Sequence, residues 1–424
     1  MAENYFNIDE KLLELSEKAL NRCKEEFIKI DKTTEINQQK VLYAFSANRV
    51  SEADLSITTG YGYGDRGREA LDKVAAMCLG AEDSIVRHSF ASGTHTLTVA
   101  LFGLLRPGEK MLCVTGTPYD TIRPVIGIKG KEGRGSLKDF GITYMQTELT
   151  DSGRVDLDAV EKMLKTEKIK MVYIQRSRGY TLRPSLSVEE IGEIVALTRN
   201  FSDAIVMVDN CYGEFVQTKE PTDFGADIIA GSLIKNPGGG IAKCGGYIAG
   251  KKELVELCAY RMTAPGIGKE VGATLGHTRD MHMGLFHAPH VVGEALKTAV
   301  FCASLYELLG FDASPAHNEE RYDIIQSISL GNPERLIAFC RGLQKGSPID
   351  SFVVPEPWDM PGYDNKVIMA AGAFTSGSSI ELSADAPLRE PFAVWLQGGL
   401  NFHSAKIGIL LSAQEMLKEG LISL

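Results

Sequence analysis

Lys235 stands just after the apolar run DIIAGS (residues 227–232) and just before the glycine-rich NPGGG (236–240). A lysine emerging from apolar surroundings has its charged form disfavoured, so its amine is available for Schiff-base chemistry near neutral pH. Ser232, three positions earlier, is close enough to share a ligand phosphate. Asp209 follows five consecutive apolar residues (Ala204 to Val208) and precedes Lys235 by 26 positions, the length of one strand–helix–strand step. A carboxylate buried at such a strand end needs a cationic partner, because an unpaired buried charge is costly. A protonated pyridine nitrogen is one such partner, and the pairing keeps the ring an electron sink.

Three further segments extend the set. In FASGTHTLTVALFGLL, Ser92, Gly93 and Thr94 open an apolar helix, where free backbone N–H groups and the helix dipole suit a phosphate. Tyr119 in VTGTPYDT lies just past a strand end and can stack on a planar heterocycle, and Gln175 at the end of KMVYIQ can donate to a ring oxygen. Each residue alone also has a plainer reading. Lys235 reads as a surface lysine closing a strand, Asp209 and Ser92 as helix caps, and Tyr119 as part of a proline turn.

The elements that must position these residues are legible as short Val/Ile-rich runs at 110–116, 142–146, 170–175, 204–210, 227–232 and 245–250, separated by helical patterns. Continuous apolar strands alternating with helices predict a mostly parallel sheet covered on both faces, with ligands beyond the strand C-termini. An amphipathic helix is expected over Asp9 to Ile30. Beyond it the chain is expected to divide into an N-terminal arm (1–55), a large α/β domain (56–289) and a smaller α+β domain (290–424). The last is expected to contain strands in KVIMAAGAF and SSIELSA.

Taken in order, with a helix-start Ser-Gly-Thr, a strand-end Tyr, Gln and Asp, and then Ser-x-x-Lys, the sequence resembles the Cys/Met-metabolism group of pyridoxal-phosphate (PLP) enzymes. More narrowly, it resembles the methionine γ-lyase-like, aluminium-resistance branch. The resemblance covers roughly residues 55–420 and is strongest from Tyr61 to Gly250. It implies the aspartate aminotransferase-like fold type I, with phosphate on Ser92-Gly93-Thr94 and Ser232, ring stacking by Tyr119, the pyridine nitrogen on Asp209 and the Schiff base on Lys235. It further implies a Tyr and an Arg lent by a neighbouring subunit, for which GYGYGDRGR offers Tyr63 (or Tyr61) and Arg66 (or Arg68). Each active site would then be built from two chains of a homodimer or homotetramer.

The chain departs from the group's pattern at three places. Ile234 replaces the usual Thr before the lysine, and Gln175 to Tyr180 reads QRSRGY instead of Ser-Pro-x-Asn-Pro. The usual carboxylate-binding Arg of an Arg-Leu-Ser strand is also missing from SSIELSADAPLREP, so Arg389, with Arg178 second, is the expected partner of a substrate carboxylate. The implied activity is a carbon–sulfur lyase acting on a cystathionine-, methionine- or cysteine-like amino acid, with Lys235 as base and Tyr119 assisting. The alternatives are a PLP transaminase or aldolase, or a PLP-fold binding or stress-resistance protein with little catalysis.

Composition bounds these readings. A net charge of −10 offers no broad basic field for nucleic acid or an anionic membrane. No run reaches the length of a membrane span, and the opening segment does not read as a secretion signal. The eight cysteines lack C-x-x-C spacing, which fits reduced thiols in a cytoplasmic protein. His277, His282, His287 and His290 crowd one segment without a convincing ligand set, so no metal is expected.

Overall fold

The computed structural model describes residues 4–360 and 365–424, so the first three residues of the expected arm lie outside the described residues. The first helix, α1 (Glu10–Ala47), runs well past Ile30. No Gly or Pro interrupts residues 31–47, and buried Val41 and Ala44 prolong its apolar stripe. By internal packing the chain forms two compact units, residues 36–289 and residues 1–35 with 290–424.

The unit of residues 36–289 holds strands β1 (Asp83–Arg87), β2 (Lys110–Cys113), β3 (Thr143–Gln146), β4 (Met171–Gln175), β5 (Ile205–Asp209), β6 (Ile228–Ser232) and β7 (Gly246–Gly250). Their order in one sheet is β1-β7-β6-β5-β4-β2-β3. Strands β2 to β6 pair in parallel, whereas β7 runs antiparallel to both β6 and β1. Every residue of β4, β5, β6 and β7 is buried, which is why their sequences are continuous apolar runs and not alternating ones. Helices α2 (Arg66–Cys78), α3 (Gly93–Leu104), α4 (Ile122–Ile126), α5 (Leu157–Thr166), α6 (Val188–Phe201) and α7 (Lys252–Met262) accompany these strands, but between β5 and β6, where a strand–helix–strand step is expected from the spacing of Asp209 and Lys235, the chain has only the short 3-10 turn Pro221–Phe224. Strand β1 is not anticipated from sequence, because DSIVR offers only two strongly apolar residues.

The other unit carries helices α9 (Pro333–Lys345) and α10 (Phe402–Lys418) and part of α8 (Thr278–Leu308). Its strands are β8 (Asp312–Ser314), β9 (Gln326–Ser329), β10 (Val367–Ala371), β11 (Ser383–Pro387) and β12 (Ala393–Gln397). They form an antiparallel sheet in the order β10-β11-β12-β9-β8. The strand expected in SSIELSA begins only at Ser383. Glu381 instead ties down a turn, its carboxylate accepting the Phe374 and Thr375 N–H groups at 2.8 and 2.9 Å. Among the described residues no helix is long and apolar enough to cross a membrane.

Candidate active site

Three parallel neighbours end on three of the predicted residues: β4 on Gln175, β5 on Asp209 and β6 on Ser232. The register pairs Gln175 with Asp209 and Asp209 with Ala230, so one sheet edge collects all three. The start of α3 meets this edge. A Cβ placed on Gly93 would stand 3.2 Å from Ser232 Cβ and 3.7 Å from Cys211 Sγ, an approach open only to a residue with almost no side chain. Ser92 caps α3 by accepting the His95 N–H at 3.1 Å, and Thr94 shares a 2.7 Å hydroxyl hydrogen bond with Thr121. The first N–H groups of the helix have no partner within it, so the Gly93–Thr94 backbone offers donors that can meet an anion beside Ser232.

Asp209 is buried and accepts only long hydrogen bonds, 3.2 Å from the Cys211 N–H and 3.4 Å from the Tyr173 hydroxyl. Burial pushes its pKa up, against the lowering effects of Cys211, Lys235 and Tyr173. This carboxylate is short of positive charge, so the site fits a cationic ring nitrogen. Lys235 is half-buried, with its Nζ 3.5 Å from the centroid of the Tyr212 ring. Burial acts to lower its pKa, but Tyr212, Cys211 and Asp209 together carry it above the ordinary lysine value. Burial also drives the Cys211 thiol well upward.

In the loop after β2, Tyr119 is held by the segment after β4. Its N–H donates to Gln175 Oε1 at 2.7 Å, while Gln175 Nε2 donates to the Ser177 carbonyl at 2.9 Å. The Gln175 amide thus fixes the Tyr119 turn. A Cβ on Gly179 would lie 3.2 Å from Tyr119 Cδ2, and the Tyr119 and Tyr180 rings are 5.8 Å apart. Arg178 lies in this same segment and is buried, with its N–H donating to Ser185 Oγ at 3.1 Å. Arg389 belongs to the other unit and is exposed in the turn between β11 and β12.

The glycine-rich loop before α2 separates the two arginines left open by sequence. Arg68 is buried and donates to the carbonyls of Gly62 and Gly272 at 2.8 and 2.9 Å, so it holds the loop together. Arg66 is exposed and makes a 3.3 Å ion pair with Asp54. Tyr61 and Tyr63 are 72% and 71% exposed, and their rings lie 5.5 Å apart. The loop therefore presents two tyrosines and one arginine outward. Of the four histidines singled out, His277 stacks on His88 at 4.7 Å and buried His282 contacts the Gly67 carbonyl at 3.1 Å.

Sequence reasoning missed the residues just beyond Asp209. Asn210, Gly213, Glu214 and Glu220 form a fully buried polar knot around Arg176, which donates to Asn210 Oδ1 and the Gly213 carbonyl, both at 2.9 Å. Glu214 accepts from the Tyr247 hydroxyl at 2.8 Å. Burial, with Glu220 nearby, pushes its pKa up to about 8 against Tyr247 and Arg176.

The folded-state value lies above that of an unfolded carboxylate. The stability contribution of Glu214 is therefore complete in acid and is lost as pH rises toward 8, by about 1.4 kcal/mol per pH unit at most. Glu214→Gln should be increasingly more stable than the parent chain as pH rises from about 5 to 8, with no further gain above that. Urea unfolding of both proteins across this range checks the sign, and a constant difference would rule out the protonated buried carboxyl.

A family model described as methionine gamma-lyase matches residues 12–417. The "Uncharacterized protein YnbB" of Bacillus subtilis (strain 168) is 47% identical over 394 residues, covering 93% of both chains. The crystal structure of a carbon-sulfur lyase involved in aluminum resistance from Clostridium novyi NT is 53% identical, covers 97% of both chains and superposes with a TM-score of 0.94. The pyridoxal-5'-phosphate dependent protein YhfS from Escherichia coli, at 15% identity, shares the fold with a TM-score of 0.62 and covers 92% of this chain and 97% of its own.

Proposed function

The chain belongs to the methionine gamma-lyase family, a PLP-dependent family of fold type I, and from that premise we propose that it cleaves a carbon–sulfur bond in a sulfur-containing amino acid. The observation that carries this reading is the meeting of Asp209, Ser232 and the start of α3 at one sheet edge, with Lys235 three residues further on.

In this reading Ser92, Gly93, Thr94 and Ser232 hold the phosphate of PLP. Asp209 would meet its ring nitrogen, Tyr119, in a position set by Gln175, would offer its ring for stacking, and Lys235 would hold it covalently. When bound, PLP supplies an electron sink for the substrate Cα. Once the substrate amine has taken its place on the cofactor, the freed Lys235 Nζ would remove the Cα proton, and the Tyr119 hydroxyl would deliver a proton to the departing sulfur. The products are a thiol, ammonia and a 2-oxo acid, with water consumed in releasing the ammonia. Incubation with cystathionine, cysteine and methionine tests the reaction class. Equal release of thiol and 2-oxo acid is expected, and exchange of the amino group without thiol release would replace the lyase with a transaminase.

Two arginines compete for the substrate carboxylate, Arg389 and Arg178. Replacing the one that binds it with leucine is expected to raise KM about 10-fold, equivalent to about 1.4 kcal/mol, with a smaller change in kcat. The other replacement should leave KM unaltered. If neither changes KM, both assignments fail. The exposed Tyr63, or Tyr61, with Arg66 would complete the phosphate site of a second copy, in a homodimer or homotetramer. A PLP-loaded monomer in sedimentation would contradict that arrangement.

A further inference from the structure

We propose that Tyr212 is a positioning residue for Lys235, its ring face holding the lysine nitrogen in place. The inference rests on the reading of Lys235 as the lysine that carries PLP, and it adds a residue on which that reading does not depend.

The Lys235 Nζ lies 3.5 Å from the ring centroid, a distance at which an aromatic face attracts a cation. The backbone that presents this ring is unusual. Tyr212 has φ +72°, in the left-handed region that a bulky residue rarely occupies. Such a conformation persists where the surroundings over-determine it, and it is found most often at functional sites.

Arg176 grips both sides of Tyr212 by donating to Asn210 Oδ1 and to the Gly213 carbonyl, and the Gly213 N–H closes the turn onto the Asn210 carbonyl at 2.9 Å. A Cβ on Gly213 would stand 2.5 Å from Arg176 Cδ, so the guanidinium stem fills the space beneath the turn. Phe215, itself at φ +61°, donates its N–H to Glu220 Oε1 at 2.9 Å. The lysine side is tied to the same loop, because Asn236 Nδ2 donates to the Glu214 carbonyl at 2.9 Å. Ring and amine are thus fixed from two directions by groups buried behind the site.

The titratable groups acting on Lys235 are Tyr212 and Cys211 on this loop and Asp209 on β5. Asp209 attracts the nitrogen by charge, while Tyr212 acts on it through its hydroxyl, by charge and hydrogen bond, and also presents its ring face, which favours the cation without requiring the hydroxyl to ionise. Removing the ring should lower the pH at which the nitrogen loses its proton.

The test uses the PLP-loaded protein and follows its visible absorbance band against pH. Tyr212→Asn removes the ring while retaining a residue that tolerates a positive φ, and its midpoint is expected to fall by about one pH unit. Tyr212→Phe keeps the ring and should shift the midpoint much less than Tyr212→Asn does. A midpoint in Tyr212→Asn equal to that of the parent overturns the inference, as does a Tyr212→Phe shift as large as that of Tyr212→Asn, which would give the role to the hydroxyl.

Should Tyr212→Asn fold, by circular dichroism, but form no band, the pH dependence of Lys235 acylation by an amine-reactive reagent replaces the absorbance readout. Peptide mass spectrometry should show the same downward shift, and an unshifted profile overturns the inference. A parent chain that forms no band with added PLP removes the PLP reading itself. An unshifted Tyr212→Asn beside a normal parent band removes only the role of Tyr212.

Discussion

Lys235→Ala is expected to lower turnover by about 10³-fold or more while leaving the fold intact. Two losses combine in this variant: the covalent attachment point for PLP and the base that takes the Cα proton, a function that alone supplies roughly 10²–10⁴-fold. The fold should survive because Lys235 is half-buried at the end of a loop segment whose anchor to the rest of the unit is Asn236, not the lysine itself. Steady-state kinetics beside a circular dichroism spectrum checks both halves. A folded Lys235→Ala protein that retains parent-like turnover would remove the proposed mechanism.

Asp209→Asn is expected to have the next largest effect, lowering turnover by roughly 10²–10³-fold, the usual range when a fixed electrostatic group in a dry site is lost. Asparagine keeps the shape of aspartate, so little else should move. The same variant should stabilise the cofactor-free protein. Burial raises the Asp209 pKa, so its stability contribution is present in acid and is lost as pH rises. Asn cannot ionise and avoids that loss. Melting curves should therefore place Asp209→Asn above the parent chain at and above neutral pH, with the gap closing toward acid. Lower activity with higher stability is the signature of a residue retained for chemistry. If the variant is less stable at every pH, Asp209 is a structural residue instead.

Much of the fold is legible in the sequence because burial on both faces of a sheet leaves a simple mark. The runs at KMLCVTG, ITYMQ, KMVYIQ, AIVMVDN, DIIAGS and GGYIAG are β2 to β7 in order, and Gln175, Asp209 and Ser232 close three of them. What escaped notice has equally definite causes. Strand direction leaves no mark on an apolar run, so the antiparallel course of β7 against β6 is invisible until β1 is seen to extend the sheet on its other side. Helix α1 passes Ile30 because polar Asn37, which gives no apolar signal, is buried there and donates to the Phe215 and Gln217 carbonyls.

The site divides in the same way. Residues whose type announces a chemistry, such as Lys235 and Asp209, stand out singly. Tyr212 does not, because its importance lies in a positive φ and a 3.5 Å approach that only the folded chain possesses. Arg66 and Arg68 look interchangeable in GDRGR, yet one points outward and the other is spent on backbone carbonyls. Arg176, two positions before Arg178, is likewise committed to the buried knot around Asn210 and Glu220.

The central claim is that Lys235 is the residue that carries PLP, and reductive trapping tests it most directly. The protein is loaded with PLP, reduced with borohydride, digested and sequenced by mass spectrometry. The pyridoxyl group is predicted on the peptide containing Lys235 in the parent chain and on no peptide of Lys235→Ala. A pyridoxyl group on a different lysine of the parent chain, or none at all, would contradict the account.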